Sequence, residues 1–471
     1  MSKFIYKISA AAMLLSIISC SSQAPEYKVP SVDIPAEFKE TYGKWEVAKP
    51  NDHAKRGEWW KKFNDPILND LLTKANSNNF QIKAAAERYK NAKAFLSVNN
   101  ASLYPQITAN GQASQNRQSD LRPLRGANQP DYYDNNFVSM SLNYELDLWG
   151  RVQSNIDSAS ALSDAANLDL ESVRLLIQAD VATNYISLRA VESQLEILKR
   201  DTDLYQKQAN LMKRRFDMGI SSGVDFYRLQ SLVESNRIQE KNLETQRAKY
   251  EHLIALLLGE SPSKFTLPEG KFANLSAPPI QIQIPSTLLQ RRPDIASAER
   301  RVAATNADIG IAKTAFFPVL SLGAMFGYQT SNQANLVGAS NSFWTLGPLA
   351  FLTVFDGGRR AALVDQATAR NAENVALYKN TVLSAFKEVE DILVEIRNRE
   401  DSLEHIKNNL TYSNKTYSIA TAKYKEGIAN YLEIADAAIE KSKAETAEID
   451  MQSKLLINKV LLIKSLSGYW E

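Results

Sequence analysis

The chain has 471 residues, 55 Lys and Arg against 53 Asp and Glu, a formal net charge of +2, one cysteine and three histidines. A near-neutral balance argues against a nucleic-acid partner, a lone cysteine rules out an internal disulfide, and His53, His252 and His405 lie too far apart for a metal-ligand spacing. No phosphate-cradling glycine loop or nucleophile elbow occurs, so the residues point to neither an enzyme nor a cofactor.

The N-terminus reads as a signal peptide over residues 1–19. Lys3 and Lys7 supply positive charge, and Ile8 to Ile18 form an apolar core too short to span a membrane. Ile17-Ile18-Ser19-Cys20 resembles a bacterial lipobox, which makes Cys20 the lipidation residue; an ordinary signal peptide with a chance cysteine is the plainer alternative. Ser21, where Asp would retain a lipoprotein inside, favours the outer membrane. No later stretch reaches the roughly 18 apolar residues of a spanning helix.

Residues 20–65 form an anchored N-terminal segment and part of an equatorial belt, with Trp59 and Trp60 best read as belt core. A first structural unit follows over 66–259. Its helix runs from about Ile67 to Leu103. Strands over 106–116 and 138–148 alternate with period two, as Ile107, Ala109 and Gly111 do against Thr108 and Asn110, and Val138, Met140 and Leu142 against Ser139 and Ser141. A half-buried sheet of a soluble domain also alternates in this way, but lengths near ten residues suit a membrane barrel. Glu145 and Asp147 either face a lumen or mark the strand-to-helix junction.

Nearly seventy residues without proline or glycine then lead to Gly219, a helix of roughly 100 Å at about 1.5 Å per residue. Leu188, Val191, Leu195, Leu198, Thr202, Tyr205, Ala209, Met212 and Phe216 step by three and four, the seam of a coiled coil. The chain turns at Ser221-Ser222-Gly223 and returns to about Gly259. A linker over 260–285 completes the belt.

A second unit over 286–468 repeats the first: helix Ser286–Phe316, a strand with Leu320, Leu322, Ala324, Phe326 and Tyr328 on one face, a fourth strand near 343–355 interrupted by Pro348, a long helix from Gly358 to Gly427, and a return over Tyr431–Leu466. Its seam is Phe386, Val389, Leu393, Ile396, Leu403, Leu410, Tyr417 and Tyr424. Gly150 and Gly358, Gly219 and Gly427, and Leu258 and Leu466 are each 208 positions apart. A period this long marks a duplicated unit, not a solenoid. Four strands cannot close a pore, and lipid tolerates no open strand edge, so the barrel must be shared between protomers.

Together with this duplication, Trp59-Trp60, Asp65-Pro66, Leu103-Tyr104-Pro105, Asp147-Leu148-Trp149-Gly150-Arg151, Ile284-Pro285-Ser286, Arg291-Arg292-Pro293-Asp294-Ile295 with Ala298-Glu299, Phe317-Pro318 and Phe355-Asp356-Gly357-Gly358-Arg359 resemble the TolC family of outer-membrane efflux factors, in its OprM-like (NodT-type) lipoprotein branch. The resemblance covers essentially the whole mature chain. It implies an α+β membrane protein: a homotrimer whose protomers each give four strands to a shared outer-membrane barrel and long helices to a periplasmic barrel. It further implies an exit duct without chemistry of its own, meeting a periplasmic adaptor (membrane fusion protein) and an inner-membrane transporter of the resistance–nodulation–division type. Type I secretion or metal export on the same fold, and a lipid-anchored coiled-coil scaffold without a pore, are the alternatives; a scaffold has no use for alternating strands.

The resemblance also places a gate near the second glycine turn, at Tyr424, Glu433 and Asp436. The two carboxylates are three apart on one helix face and would form stacked rings in a trimer, the plainer reading being two solvated side chains. Ala429 stands where the family's best-known member ties the tip with arginine. Arg215 and Asp225 are the first-copy counterparts. Gly219, Ile220, Gly427 and Ile428 are the tips that an adaptor would contact.

Overall fold

A computed structural model describes residues 23–33, 38–40, 58–121, 129–272, 275, 292–331, 335–429 and 431–467. The expected signal peptide, Cys20 and the Ile284-Pro285-Ser286 motif lie outside the described residues. In chain order the elements are α1 (Pro66–Asn78), α2 (Phe80–Ala101), β1 (Gln106–Arg117), β2 (Tyr132–Glu145), α3 (Arg151–Asp217), α4 (Gly223–Leu257), α5 (Pro293–Thr314), β3 (Val319–Thr330), β4 (Ser342–Phe351), α6 (Arg359–Lys425) and α7 (Tyr431–Ser465). Helices α3 and α6 are both 67 residues long, α4 and α7 both 35, and each bound of the later helix falls 208 positions after that of the earlier. Among the described residues no helix is long and apolar enough to cross a membrane.

The chain divides into two compact units. One gathers residues up to 30, 88–166 and 297–378. It holds an antiparallel sheet in the order β1-β2-β3-β4. The register sets Ile107 opposite Leu142, Met140 opposite Phe326, and Phe326 opposite Trp344, so one apolar face continues across all four strands. That face is bare: Met140 is 58% exposed, Phe326 51% and Trp344 75%. An apolar patch of this extent in water marks an interaction surface, and alternation at this strand length is the pattern of a lipid-facing barrel wall. The opposite face is polar over β1 and β2, with the Thr108 and Ser141 hydroxyls 2.6 Å apart and the Gln329 amide donating to Asn135 at 2.8 Å, whereas Val319, Met325, Leu349 and Phe351 make it apolar toward β4. Within one chain β4 is an edge strand, the place in a sheet where a proline such as Pro348 is tolerated.

Strand β2 begins earlier than its alternation suggests, because residues 132–137 continue the ladder with β1, and ends earlier because residues 146–149 turn into α3. Leu146 N–H donates to Leu320 O, the Asp147 carboxylate accepts from Gln153 N–H at 2.8 Å, and Gly150 takes a φ of 72°. Glu145 receives two bonds from the Arg151 guanidinium, so both acidic residues serve the strand-to-helix junction. Trp149 stacks on Phe317 at 4.8 Å and donates to Pro318 O at 2.8 Å, which joins the Trp-Gly-Arg and Phe-Pro motifs. Along α5 runs the segment Ala24–Tyr27: Asn306 donates to Pro25 O at 2.8 Å, Tyr27 donates to the Glu299 carboxylate, and a Cβ on Gly310 would stand 2.8 Å from the Ala24 backbone.

The other unit gathers residues 31–87, 167–296 and those from 379 onward. The α3 seam is real: Leu188, Val191, Leu195, Leu198, Thr202, Tyr205, Ala209 and Met212 are all buried, each large apolar member contributing roughly 1.5–3 kcal/mol. Phe216 is 41% exposed and closes the seam against Gly223. In α6, Phe386, Val389 and Leu393 are buried, but Leu403, Leu410, Tyr417 and Tyr424 are half-covered within one chain.

The expected helix from Ile67 to Leu103 is two helices. Asn79 breaks it: its side-chain oxygen accepts from Gln81 and Ile82 N–H, and its amide donates to Leu257 O at 2.8 Å. A capping side chain that offers the backbone this alternative favours a helix start over a helix interior. Asp65 caps α1 in the same way, with Pro66 in the first turn, and accepts the buried Tyr185 hydroxyl at 2.7 Å. Trp59 and Trp60 are core: they meet edge-on at 5.8 Å, and Trp59 donates to Gln178.

Arg292 explains the most specific motif. It is buried, forks onto Asp294 at 3.0 and 2.7 Å, reaches Glu388 at 2.8 Å and donates to Ser465 O, so one guanidinium ties the start of α5 to α6 and to the end of α7. Burial raises the Asp294 and Glu388 carboxyls, but Arg292, aided at Glu388 by Lys464, holds both below their ordinary values.

Candidate functional site

Both hairpins end in the same turn. Gly219 and Gly427 have φ of 73° and 77°. Gly219 N–H donates to Phe216 O and Ile220 N–H to Arg215 O; Gly427 N–H donates to Tyr424 O and Ile428 N–H to Lys423 O. This pair of bonds is the Schellman motif, which needs a left-handed residue that glycine takes at least cost. Ile220 and Ile428 are 62% and 71% exposed, so each tip presents a largely bare apolar side chain among the described residues. Met218, Val224 and Tyr227 are exposed beside the first tip.

Behind the tips the two hairpins share a core. Ala209 and Met212 of α3, Leu229 of α4, Ala420 of α6, and Tyr431, Ile434, Ala435 and Ala437 of α7 form one buried cluster, with Phe226, Tyr417 and Tyr424 against it. Burial pushes the Tyr205 and Tyr431 hydroxyls above the ordinary tyrosine range. Tyr424 meets Tyr431 edge-on at 5.5 Å and accepts from Arg215 at 2.9 Å.

Two further links join the hairpins. Arg228 of α4 donates to Asp436 of α7 at 2.8 Å, both side chains about half exposed. Arg200 of α3 bonds both Asp201 and Glu445 of α7. Within one chain, Asp436 therefore carries a guanidinium from the facing helix. Glu433 and Asp436 do share the exposed face of α7, opposite Ile434, Ala435, Ala437 and Ala438. Ala429 leaves no side chain to bond across the tip, and Asp225 lies in the first turn of α4. Arg228 and Arg200 went unnoticed in the sequence. The offset was the available signal for the first: Arg228 and Asp436 are themselves 208 positions apart, so the duplication brings copy and counterpart face to face.

A sheet with one bare apolar face, joined to paired long helices that end in glycine turns, defines an outer-membrane channel fold. The structure of the outer-membrane channel OprN superposes with a TM-score of 0.85 over 95% of this chain and 99% of that one, at 26% identity. The outer membrane efflux protein family matches residues 71–260 and 284–468, and the chain belongs to that family. OprJ of Pseudomonas aeruginosa is 30% identical over 482 residues, covering 100% of this chain and 97% of OprJ. The toluene efflux pump outer membrane protein TtgF of Pseudomonas putida is 29% identical over 467 residues, 98% of this chain and 96% of TtgF. The family is one of efflux channels rather than enzymes, and the pore-free scaffold is set aside.

Proposed function

We propose that three copies of this chain close one barrel and form the passive exit duct of a tripartite efflux pump, fed by an inner-membrane transporter through a periplasmic adaptor. One observation carries the reading: a four-stranded sheet with two open edges and a bare apolar face is unstable in lipid until each β4 edge meets the β1 edge of another copy. Residues 66–259 and 286–468 act as two structural repeats, with 20–65 and 260–285 as the belt. The half-covered α6 seam gains its remaining cover from a neighbouring protomer. Gly219-Ile220 and Gly427-Ile428 offer their exposed apolar tips to the adaptor, and a transporter of the resistance–nodulation–division type supplies the cargo.

The gate lies where the hairpins are tied, at Tyr424 with Arg215 and at Asp436 with Arg228, with Glu433 beside them on α7. Opening separates the hairpins and breaks both links. Cys20 carries lipid that secures the chain to the outer membrane, a second hold beside the barrel itself. The test is conductance of the purified protein in planar bilayers together with its mass in detergent. A trimer with discrete channels supports the duct; a monomer, or no channel under any gate-weakening condition, refutes it. Mass spectrometry of the mature chain decides the anchor independently, since an unmodified Cys20 would end the lipoprotein reading.

A further inference from the structure

Beneath the sheet, within the first unit, lies a cavity of about 750 Å³ between α5, the start of α6 and the near ends of β3 and β4. It is an open groove: Arg359, Leu363, Gln366 and Arg370, all exposed, line it at spacings of four, three and four, one stripe of α6. The two arginines therefore stand at opposite ends of the stripe, roughly 16 Å apart along the helix. Phe317, Phe351 and Leu363 supply apolar walls.

The arginines here are not alike. Arg360 is committed to Asp356 at 2.7 Å and lies over the Phe316 ring, and Arg151 is committed to Glu145. Arg359 and Arg370 make no side-chain hydrogen bond or ion pair with any described residue. Asp308, which accepts from Ser158 at 2.8 Å, is the one lining carboxylate without a guanidinium partner. The site thus keeps net positive charge after its internal pairs are formed. Each free guanidinium, set beside an apolar wall, matches a single oxyanion on an apolar body, so the groove offers two alternative anion positions at its ends.

Orientation says where such a molecule comes from. Val319 pairs with Phe351, and both project to the side of Ser321 and Gly323, opposite the bare apolar face of Leu320 and Leu322. If the apolar face meets lipid, the cavity opens into the duct. We infer that this cavity is a station for anionic amphiphiles, carboxylates or phosphates on an apolar body, on their way through the channel, an assignment that rests on the duct reading above and narrows its cargo.

The test uses the full-length protein in nanodiscs of phosphatidylcholine and hexyl phosphate as probe, with hexanol as the uncharged control. Binding is followed by calorimetry and by the fluorescence of Trp149, which stacks on the cavity's Phe317. Hexyl phosphate should bind at least about tenfold more weakly to the double variant Arg359→Gln, Arg370→Gln, with hexanol unchanged. Equal binding to both proteins, or none to the wild type, overturns the site. Phosphatidylglycerol added to the nanodiscs should not compete; if it displaces the probe, the cavity opens to the membrane and holds a lipid headgroup, and the cargo assignment falls. Unaltered assembly of the variant is checked by its mass in detergent. Because binding is read without current, a failed site and a failed duct give separate results.

Discussion

Removing the Tyr424 hydroxyl isolates one link of the proposed gate without disturbing packing, because phenylalanine keeps the ring that meets Tyr431 at 5.5 Å. The lost bond comes from a charged donor in a half-buried setting, worth about 1 kcal/mol. The Arg228–Asp436 pair is 53% and 57% exposed, so solvent screening holds it to about 0.5 kcal/mol or less. If three protomers open together, each loss counts three times. Tyr424→Phe then shifts the open–closed balance by about 3 kcal/mol, roughly a hundredfold, and Arg228→Gln by about 1.5 kcal/mol, roughly tenfold. Single-channel recording gives open probability for each variant and for the pair. The Arg228→Gln effect should fade as salt rises from about 0.1 to 1 M, whereas that of Tyr424→Phe should persist. Unchanged open probability in the double variant would remove both links from the gate, and a larger effect at Arg228 than at Tyr424 would refute the ranking by exposure.

Replacing Arg292 with methionine leaves Glu388 and Asp294 without their main counter-charge, and should lower stability to thermal unfolding by about 3 kcal/mol at neutral pH. Both carboxyls are held below their ordinary values, so their stabilisation is present above the unfolded-state range near pH 4 and is lost as pH falls through the lowered values. The wild-type advantage should therefore shrink on acidification; an advantage that grows instead would contradict the assignment. Asp180, which burial pushes up, acts with the opposite sign but is common to both proteins and cancels in the difference. Gly427→Ala meets no neighbouring atom and should cost only its left-handed backbone, about 1–2 kcal/mol, confined to the tip. Gly259→Ala combines φ of 73° with a contact of 2.7 Å to Asn78 O and should be clearly worse in the same melting experiment; equal costs would show that the α1–α4 contact yields freely.

The elements that local chemistry dictates were legible from the chain. Period-two alternation marked three strands and an apolar run marked β4, though too far at its end, while the three-four seam of α3 marked its buried face and glycine marked both tips, because these signals depend on neighbours within one strand or turn. Boundaries moved where a distant group intervened. Asn79 is a local cap signal within 67–103, but what makes it break the helix there is its second bond, to Leu257 O across nearly two hundred residues of chain. The end of β2 depends on Phe317 and Pro318 receiving Trp149. At the tip, the spacing of Glu433 and Asp436 correctly put them on one helix face, but spacing is blind to the charge on the facing helix. Arg228 turned the second carboxylate into half of a pair. The neutralised arginines of the groove sit within six residues of their partners Asp356 and Glu145, whereas the free ones are set apart only by which helices and strands come to face α6. Sequence determines what a segment can form from its own periodicity and turn residues; only tertiary structure decides which polar groups, brought together from remote segments, satisfy one another and which remain available to a ligand.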